Sequence, residues 1–202
     1  AVGTAGSVYS SGDGGTANTI YGNDAGIALA SGGNYNVLVG NLAGTAVSTG
    51  DGNVCIGKSA GASLATTINN VIIGHEAFDA ADGTENYNVV IGGAAGGAIN
   101  NDLADMNILI GQDAGAGGTG ALRSAVCIGS EAVATTGSND ITGVVAVGHN
   151  ALKALTTGAG NLAIGYGALS VHTTGARNMA IGYEAMNDND GSDGTALGSA
   201  DN

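Results

Sequence analysis

Paired carboxylates are the first side chains in this sequence that could carry out chemistry. Asp113 and Glu131 occupy the same position in two consecutive copies of a short sequence repeat. Two carboxyl groups held about 5 Å apart are the arrangement that retaining glycoside hydrolysis requires. In the other copies this position holds Asp24, Glu76, Glu184, Leu42, Ser59, Ala94, Asn150 and Gly167. Such variation is typical of an exposed face, so we predict no catalytic residues, and a tailspike-like polysaccharide-degrading enzyme is kept as an alternative.

The histidines and one glycine-rich stretch are the next candidates. His75, His149 and His172 lack the spacing of metal ligands. Gly115–Gly120 reads GAGGTG and formally matches the dinucleotide fingerprint G-x-G-x-x-G. That fingerprint needs a helix after the glycines, and no helical periodicity follows here. We therefore predict no nucleotide site and no cofactor.

The densest acidic cluster is NDNDGSDG at residues 187–194. Asp188, Asp190 and Asp193 offer the oxygen ligands that Ca²⁺ prefers. Their spacing differs from that of a calcium loop, and no glutamate stands at the closing position. They are candidates for a site that binds Ca²⁺ or another cation, although the composition favours a solvated turn.

The two cysteines occupy the same position of copies that lie four repeats apart. In a stack with ~4.8 Å per repeat, Cys55 and Cys127 would be about 19 Å apart, which is too far for a disulfide. We expect both to be buried free thiols. Bridging to a symmetry-related chain near an axis is the alternative.

All of these residues belong to a repeat that runs along the whole chain. Its marker is an apolar residue followed by glycine, which recurs every 16–19 residues. Ten marker glycines define position 0 of their copies: Gly22, Gly40, Gly57, Gly74, Gly92, Gly111, Gly129, Gly148, Gly165 and Gly182. Gly3 and Gly198 extend the pattern to twelve copies. All ten central copies have Ala at position +3 and eight have Asn at −4, a regularity that predicts stacked structural rungs.

Each copy reads as a strand, a corner and a polar loop. Three apolar residues at −3 to −1, as in Val71-Ile72-Ile73, predict a short buried strand. Glycine suits the corner, and the turn-forming residues at 156–160 are typical of the loops. We predict an all-β fold, a repetitive β-solenoid or β-roll of about twelve rungs. Residues 1–202 would form a single repeat domain, a segment of a longer fibre.

Composition and charge exclude several classes of protein. The 202 residues include 39 Gly, no Pro and no Trp, and only 3% are aromatic, which favours thin layers over a thick core. The formal net charge of −13 repels phosphate backbones and anionic membranes, so we predict neither nucleic acid nor membrane partners. No stretch has the length of a membrane span.

The alternation of side chains along a strand places −2 on one face and −3 and −1 on the other. Both faces are apolar, so a single chain would leave one of them as a stripe in water. Position −2 holds large residues or Cys in the first seven central copies, then Ala146, Ala163 and Ala180. Position +4 changes in the opposite direction, from mostly Gly to Leu152, Leu169 and Met186. We infer that −2 and +4 share one packed space, which we expect between chains wound as a parallel homotrimer.

The segment NLAIGYGALSVHTTGARNMAIGYEAM at residues 161–186 is the most specific. Its Asn-x-Ala-Ile-Gly-Tyr-x-Ala-Leu motif and Thr-Thr-Gly linker resemble the repeats of bacteriophage tail fibres. It is also similar, more distantly, to the head repeats of trimeric autotransporter adhesins. The resemblance is closest over residues 144–186, whereas residues 18–133 carry larger residues at −2. It implies a homotrimeric β-roll that serves in host attachment, in an extracellular virion tail fibre or on a bacterial cell surface.

The expected function is therefore that of a structural and adhesive segment of a trimeric fibre. Its partners would be copies of itself, neighbouring fibre segments and a glycan or protein of the host surface. Tyr166 and Tyr183, at +1 of adjacent copies, are candidate receptor-facing residues. A bacterial trimeric adhesin head is the alternative within the same class.

An ice-binding solenoid is a further alternative, because small residues and flat ladders suit it. It would need a regular threonine row on one face. Threonine pairs occur in only some copies, at Thr66-Thr67, Thr135-Thr136, Thr156-Thr157 and Thr173-Thr174. Their irregularity counts against this function.

Overall fold

The computed structural model describes residues 8–10, 15–81, 84–118 and 120–187. Its strands are β1 (Val8–Ser10), β2 (Thr19–Tyr21), β3 (Val37–Val39), β4 (Val54–Ile56), β5 (Val71–Ile73), β6 (Val89–Ile91), β7 (Ile108–Ile110), β8 (Leu122–Arg123), β9 (Val126–Ile128), β10 (Ile141–Thr142), β11 (Val145–Val147), β12 (Leu162–Ile164) and β13 (Met179–Ile181). No helix occurs in these ranges, and nothing there could cross a bilayer as an apolar helix.

Ten of the strands stack in parallel, one per repeat, and build a solenoid of about nine turns. They pair in the order β2-β3-β4-β5-β6-β7-β9-β11-β12-β13. Equivalent positions of neighbouring strands always pair with each other: Leu38 pairs with Cys55, and Ala163 pairs with Ala180. The predicted all-β solenoid is therefore confirmed, as is the predicted strand of each of these ten copies.

The first described strand does not follow the parallel stacking of the others. Strand β1 pairs antiparallel with β2, so the neighbour of the first parallel strand runs in the opposite direction. The copies expected around Gly3 and Gly198 lie outside the described residues. The described residues thus contain ten of the twelve predicted rungs.

The marker glycine forms the corner because nothing larger fits there. Gly57 has a φ of 132°, and a Cβ built on it would lie 2.4 Å from the carbonyl oxygen of Gly74. A Cβ on Gly165 would lie 2.1 Å from the carbonyl oxygen of Gly182. Since the obstacle is backbone of the next rung, no movement of a side chain could relieve the clash.

The asparagines at −4 form a buried ladder at the start of each strand. Asn53 Nδ2 donates to Asn36 Oδ1 at 3.2 Å and to the Thr67 carbonyl at 2.7 Å. Asn53 Oδ1 in turn accepts from the backbone N–H and the Nδ2 of Asn70, both at 3.1 Å. Every turn thus satisfies buried polar groups of the next, as a stacked amide row should.

The ladder is interrupted in two consecutive rungs. Position −4 is Ala125 in one and Val144 in the next, and both are buried. In the same rungs Leu122 and Ile141 lie buried in β8 and β10, which pair with each other in parallel. Apolar packing therefore replaces the amide row at this point of the stack.

Positions −2, +3 and +4 fill the interior. A Cβ on Gly44 would lie 2.6 Å from Leu38 Cδ2, and one on Gly115 would lie 2.7 Å from Leu109 Cδ2. Leu152 and Leu169, at +4 of later rungs, are buried beside a strand alanine. The inference that −2 and +4 share one space is confirmed. Its expected location was wrong, because the space lies inside the coil of a single chain and not between chains.

Candidate functional site

The carboxylate row at +2 forms cross-rung ion pairs. Glu131 Oε2 pairs with Lys153 Nζ, and a hydrogen bond from that ammonium lowers the pKa of Glu131. Glu76 Oε1 lies 3.3 Å from Lys58 Nζ, and Asp113 Oδ2 accepts a hydrogen bond from Gln112 Nε2 at 3.1 Å. A general acid needs a raised pKa, so the environment of Glu131 disfavours the glycosidase alternative.

The histidines are dispersed. His75 Nε2 lies 3.4 Å from Glu76 Oε1 and from Lys58 Nζ, while His149 packs against Tyr166. His172 lies in a turn, where its N–H donates to the Leu169 carbonyl. Within the described ranges, no three His, Cys, Asp or Glu residues come together as a metal site. The candidate cation ligands Asp188, Asp190 and Asp193 lie outside those ranges.

The glycine-rich stretch at 115–120 serves packing. A Cβ on Gly118 would lie 2.0 Å from the Gly137 carbonyl oxygen, and one on Gly120 would lie 2.2 Å from that of Asn139. Stacking on the next rung thus accounts for these glycines without a phosphate ligand.

Cys55 and Cys127 are free and fully buried in the interior. Burial raises the pKa of each thiol from 9.0 to about 12, so both stay protonated at neutral pH. The expectation of buried free thiols is confirmed. The alternative of a bridge to a symmetry-related chain is wrong, because both sulfurs face the inside of their own coil.

The threonine pairs do not form a surface row. Thr67 and Thr136 are buried, and Thr156 Oγ1 donates to the Thr173 carbonyl at 2.7 Å. Hydroxyls used or enclosed in this way leave no regular array for ice.

The tyrosines at +1 stack as the repeat register predicts. The rings of Tyr166 and Tyr183 have centroids 5.2 Å apart and an interplanar angle of 8°. His149 covers the opposite side of Tyr166 at 5.3 Å, and the Glu184 carboxylate raises the pKa of Tyr183. Tyr166 is 47% and Tyr183 72% exposed. Tyr166, which has a ring on each side, presents mainly its edge and hydroxyl to solvent, whereas Tyr183 has a described ring contact on one face only.

The most extensive exposed feature is the outer sheet face, which consists of positions −3 and −1 of the ten parallel strands. Its side chains are Val, Ile, Leu and Met except for Thr19 and Tyr21, and none is charged. Ile56, Ile108, Ile128 and Ile164 are each more than one-third exposed, and Ile181 is 62% exposed. The apolar stripe that the alternation of side chains predicts is therefore present on this chain.

A row that the sequence reasoning missed flanks this face at position −5. Every described residue there has a φ between 50° and 69°, in the left-handed region. Tyr35, Tyr87 and Met106 occupy it with exposed side chains. The signal in the sequence was the glycine at the same position in other copies, Gly52, Gly143 and Gly160.

Comparison of the chain with protein-family models, with curated proteins and with solved structures finds no match. The function therefore has to be inferred from the surfaces described above.

Proposed function

We propose that this protein is a structural and adhesive segment of a homotrimeric fibre, of the kind found in phage tail fibres, which supports or mediates attachment to a host surface. A bacterial trimeric adhesin head is the alternative within the same class. A solenoid of stacked, nearly identical turns is a rod, and rods serve to span distance and display side chains along their length.

The outer sheet face is the observation that carries the proposal. Nine spacings of ~4.8 Å make it about 43 Å long, and two rows of side chains make it about 10 Å wide, or about 430 Å². The largest apolar patch of a soluble protein is commonly of this size and often functional.

The charge distribution favours a further copy of the chain as the partner. The chain carries a formal charge of −13, yet neither row of this face contains an Asp or a Glu. Like charges oppose the association of two such chains everywhere else on the surface. Copies that meet through this face bring apolar rows together while their carboxylates stay in water.

Light scattering on a freshly eluted column peak, at low and high salt, tests the assembly. We expect a mass of three chains, most fully at high salt, because ions screen the repulsion between the negatively charged chains and leave the apolar contact intact. A mass of one chain at every concentration would contradict the proposal.

The adhesive part of the proposal involves the stacked tyrosines. Tyr166 and Tyr183 are exposed aromatic rings in the +1 row, which is separate from the −3 and −1 rows of the outer sheet face, and this is the row that we assign to the receptor. Exposed tyrosines supply apolar area and a hydroxyl to a protein or glycan partner.

Binding of the labelled protein to bacterial cells and to immobilised surface glycans tests this role. We expect Tyr166→Ser with Tyr183→Ser to lower binding at least tenfold. Gln112→Ser, in the same row of an earlier rung, is the matched control and should leave binding unchanged. Equal binding by both variants would remove the tyrosines from the proposal and leave the fibre role intact.

A further inference from the structure

We propose that Tyr35, Tyr87 and Met106 anchor the contact between copies of this chain and fix the rung at which the copies meet. The inference rests on the proposed self-association through the outer sheet face. It adds the residues that give that contact its strength and its register.

The backbone at these three residues is held in a conformation that they disfavour. Their φ angles are 58°, 59° and 59°. Hydrogen bonds to the preceding rung impose this geometry: Tyr35 N–H donates to the Thr16 carbonyl, Tyr87 N–H to Ile68 and Met106 N–H to Asn86, at 3.0–3.2 Å. Glycine adopts the same angles without steric opposition from a Cβ, as Gly52, Gly143 and Gly160 do.

Within one chain, burial of these side chains offsets little of the cost of their positive φ angles. Tyr35 is 67% exposed, and Tyr87 and Met106 are each 54% exposed. Leu152 and Leu169 have similar positive φ angles, but both are buried and gain the burial of a large apolar group. Strained residues that expose large apolar side chains point to a gain that arises outside the single chain.

A second copy of the chain is the occupant that fits this region. Position −5 precedes −3 by two residues, so its Cα lies within about 7 Å of the outer sheet face. Adding this row widens the face to about 13 Å, or about 560 Å² per chain. Three copies that meet through this face around a common axis then bury up to about 1,700 Å² in total, which compares with the ≈1,200–2,000 Å² of a standard specific interface.

The spacing of the anchors can define the register. The two −3 and −1 rows repeat nearly the same side chains at every rung, so they tolerate a slip of one rung. Position −5 holds Tyr or Met at rungs two, five and six of the ten, glycine at three others, and Ala, Asn, Ser and Arg at the remaining four. A slip would place at least one anchor against a different partner, so the aligned arrangement makes the most contacts.

The test replaces the anchors by a residue that suits their backbone. Tyr35→Asn, Tyr87→Asn and Met106→Asn combined keep the left-handed conformation, which asparagine accepts more readily. The control combines Tyr166→Asn and Tyr183→Asn, which removes exposed tyrosines from the +1 row and leaves the −5, −3 and −1 rows unchanged. Sedimentation equilibrium gives the dissociation constant, and thermal unfolding over a range of protein concentrations gives the stability of the chain itself.

We expect the dissociation constant of the anchor variant to rise at least tenfold. The stability of its isolated chain, which does not depend on protein concentration, should be unchanged or increased. The control should associate like the native protein. If the native protein associates and the anchor variant does so equally well, the inference fails and the fibre proposal stands. If the isolated chain of the anchor variant is less stable than the native chain, these side chains stabilise their own chain. That result would also overturn the inference. A native protein that stays monomeric overturns both.

Discussion

Two regions of the solenoid build the same interior in opposite ways. Over the first seven parallel strands, from Thr19 to Ile128, the strand supplies the large side chain and the corner mostly supplies glycine. From Val145 to Met186 the strand supplies alanine and the corner supplies Leu or Met. The asparagine ladder is interrupted where they meet, in the last rung of the first region and the first rung of the second. The comparison teaches that the repeat conserves the filled volume of each turn and not the position of the side chain that fills it.

The exchange changes the strain in the backbone. Position +4 has a positive φ in both regions, 55° at Gly44 and 54° at Leu169. A left-handed conformation costs a residue with a Cβ about 1–2 kcal/mol, whereas burial of a leucine contributes about 1.5–3 kcal/mol. The second region is thus stabilised by a smaller net amount per leucine than the first.

Phe78 shows that one side chain can serve two rungs. It stands at +4 with the large Ile72 at −2 of its own rung, and both are fully buried. A Cβ on Gly96, in the following rung, would lie 2.8 Å from Phe78 Cδ2. The ring therefore occupies the corner space of the next turn, which explains how a large residue at +4 is accommodated together with a large residue at −2.

The largest expected effect falls on what both regions share. Gly57→Ala and Gly165→Ala each place a Cβ against a carbonyl oxygen of the next rung, so we expect each to lose more than about 4 kcal/mol of unfolding free energy. Urea denaturation followed by circular dichroism would measure it. A loss below about 1 kcal/mol in either region would mean that the corner is not constrained by stacking there.

The second prediction converts one rung of the first region into the pattern of the second. Leu38→Ala leaves a cavity and should cost about 2–5 kcal/mol. Gly44→Leu overpacks and strains the corner, at about 1–3 kcal/mol. Together they restore the volume, so we expect the double variant to be at least 2 kcal/mol more stable than the sum of the two losses predicts.

A matched pair keeps this cycle interpretable. Leu38→Ala combined with Gly115→Leu makes the same two changes in distant rungs, and its losses should add. If the two double variants show the same coupling energy, a change of volume at −2 is not compensated by +4 of the same rung.

The third prediction compares the ladder in the two regions. Asn53 has ladder neighbours on both sides, whereas Asn161 follows the interruption and pairs through its side chain with Asn178 alone in the ladder. We expect Asn53→Ala to cost about 3 kcal/mol and Asn161→Ala about 2 kcal/mol, because fewer buried groups lose a partner in the second case. Equal losses of unfolding free energy in denaturant titrations would indicate that each asparagine stabilises the chain independently of its neighbours in the ladder.

The smallest effect concerns the cysteines, which occupy position −2 only in the first region. Burial raises the folded-state pKa of both thiols to about 12. Their contribution is therefore fully present below the unfolded pKa near 9 and is lost as the pH rises from 9 towards 12. By pH 10 the loss is about 1 kcal/mol per cysteine.

Unfolding of the native protein and of Cys55→Ala with Cys127→Ala at pH 7 and pH 10 would measure this difference. The variant should be less stable at pH 7, by about 1 kcal/mol per site for the lost volume, and the gap should narrow at pH 10. A constant gap would contradict the burial of the thiols.

Much of the fold could be predicted from residue spacing because the same local solution is repeated. Position 0 must be glycine and position −4 prefers asparagine because of contacts between two adjacent rungs. The period, the strands and the in-register stacking could therefore be predicted from the sequence. The stacked Tyr166 and Tyr183 followed from the same register. The left-handed residues at −5 could not be foreseen at Tyr35, Tyr87 and Met106, because a side chain does not reveal a φ that is imposed by hydrogen bonds to another rung.

The sequence by itself determined that this chain repeats a strand and a tight corner, since glycine, asparagine and the apolar triplet each answer a local backbone or hydrogen-bond requirement. Only the tertiary structure decided which side of the strand faces inward. Both sides are apolar, and the direction in which each corner turns the chain sets the choice. That turn depends on the left-handed angles at +2 and +4, which are stabilised by hydrogen bonds to carbonyls 16–20 residues away. The inward turn encloses −2 and +4 in one chain and leaves the uncharged rows at −3 and −1 outside, where we propose that another copy binds.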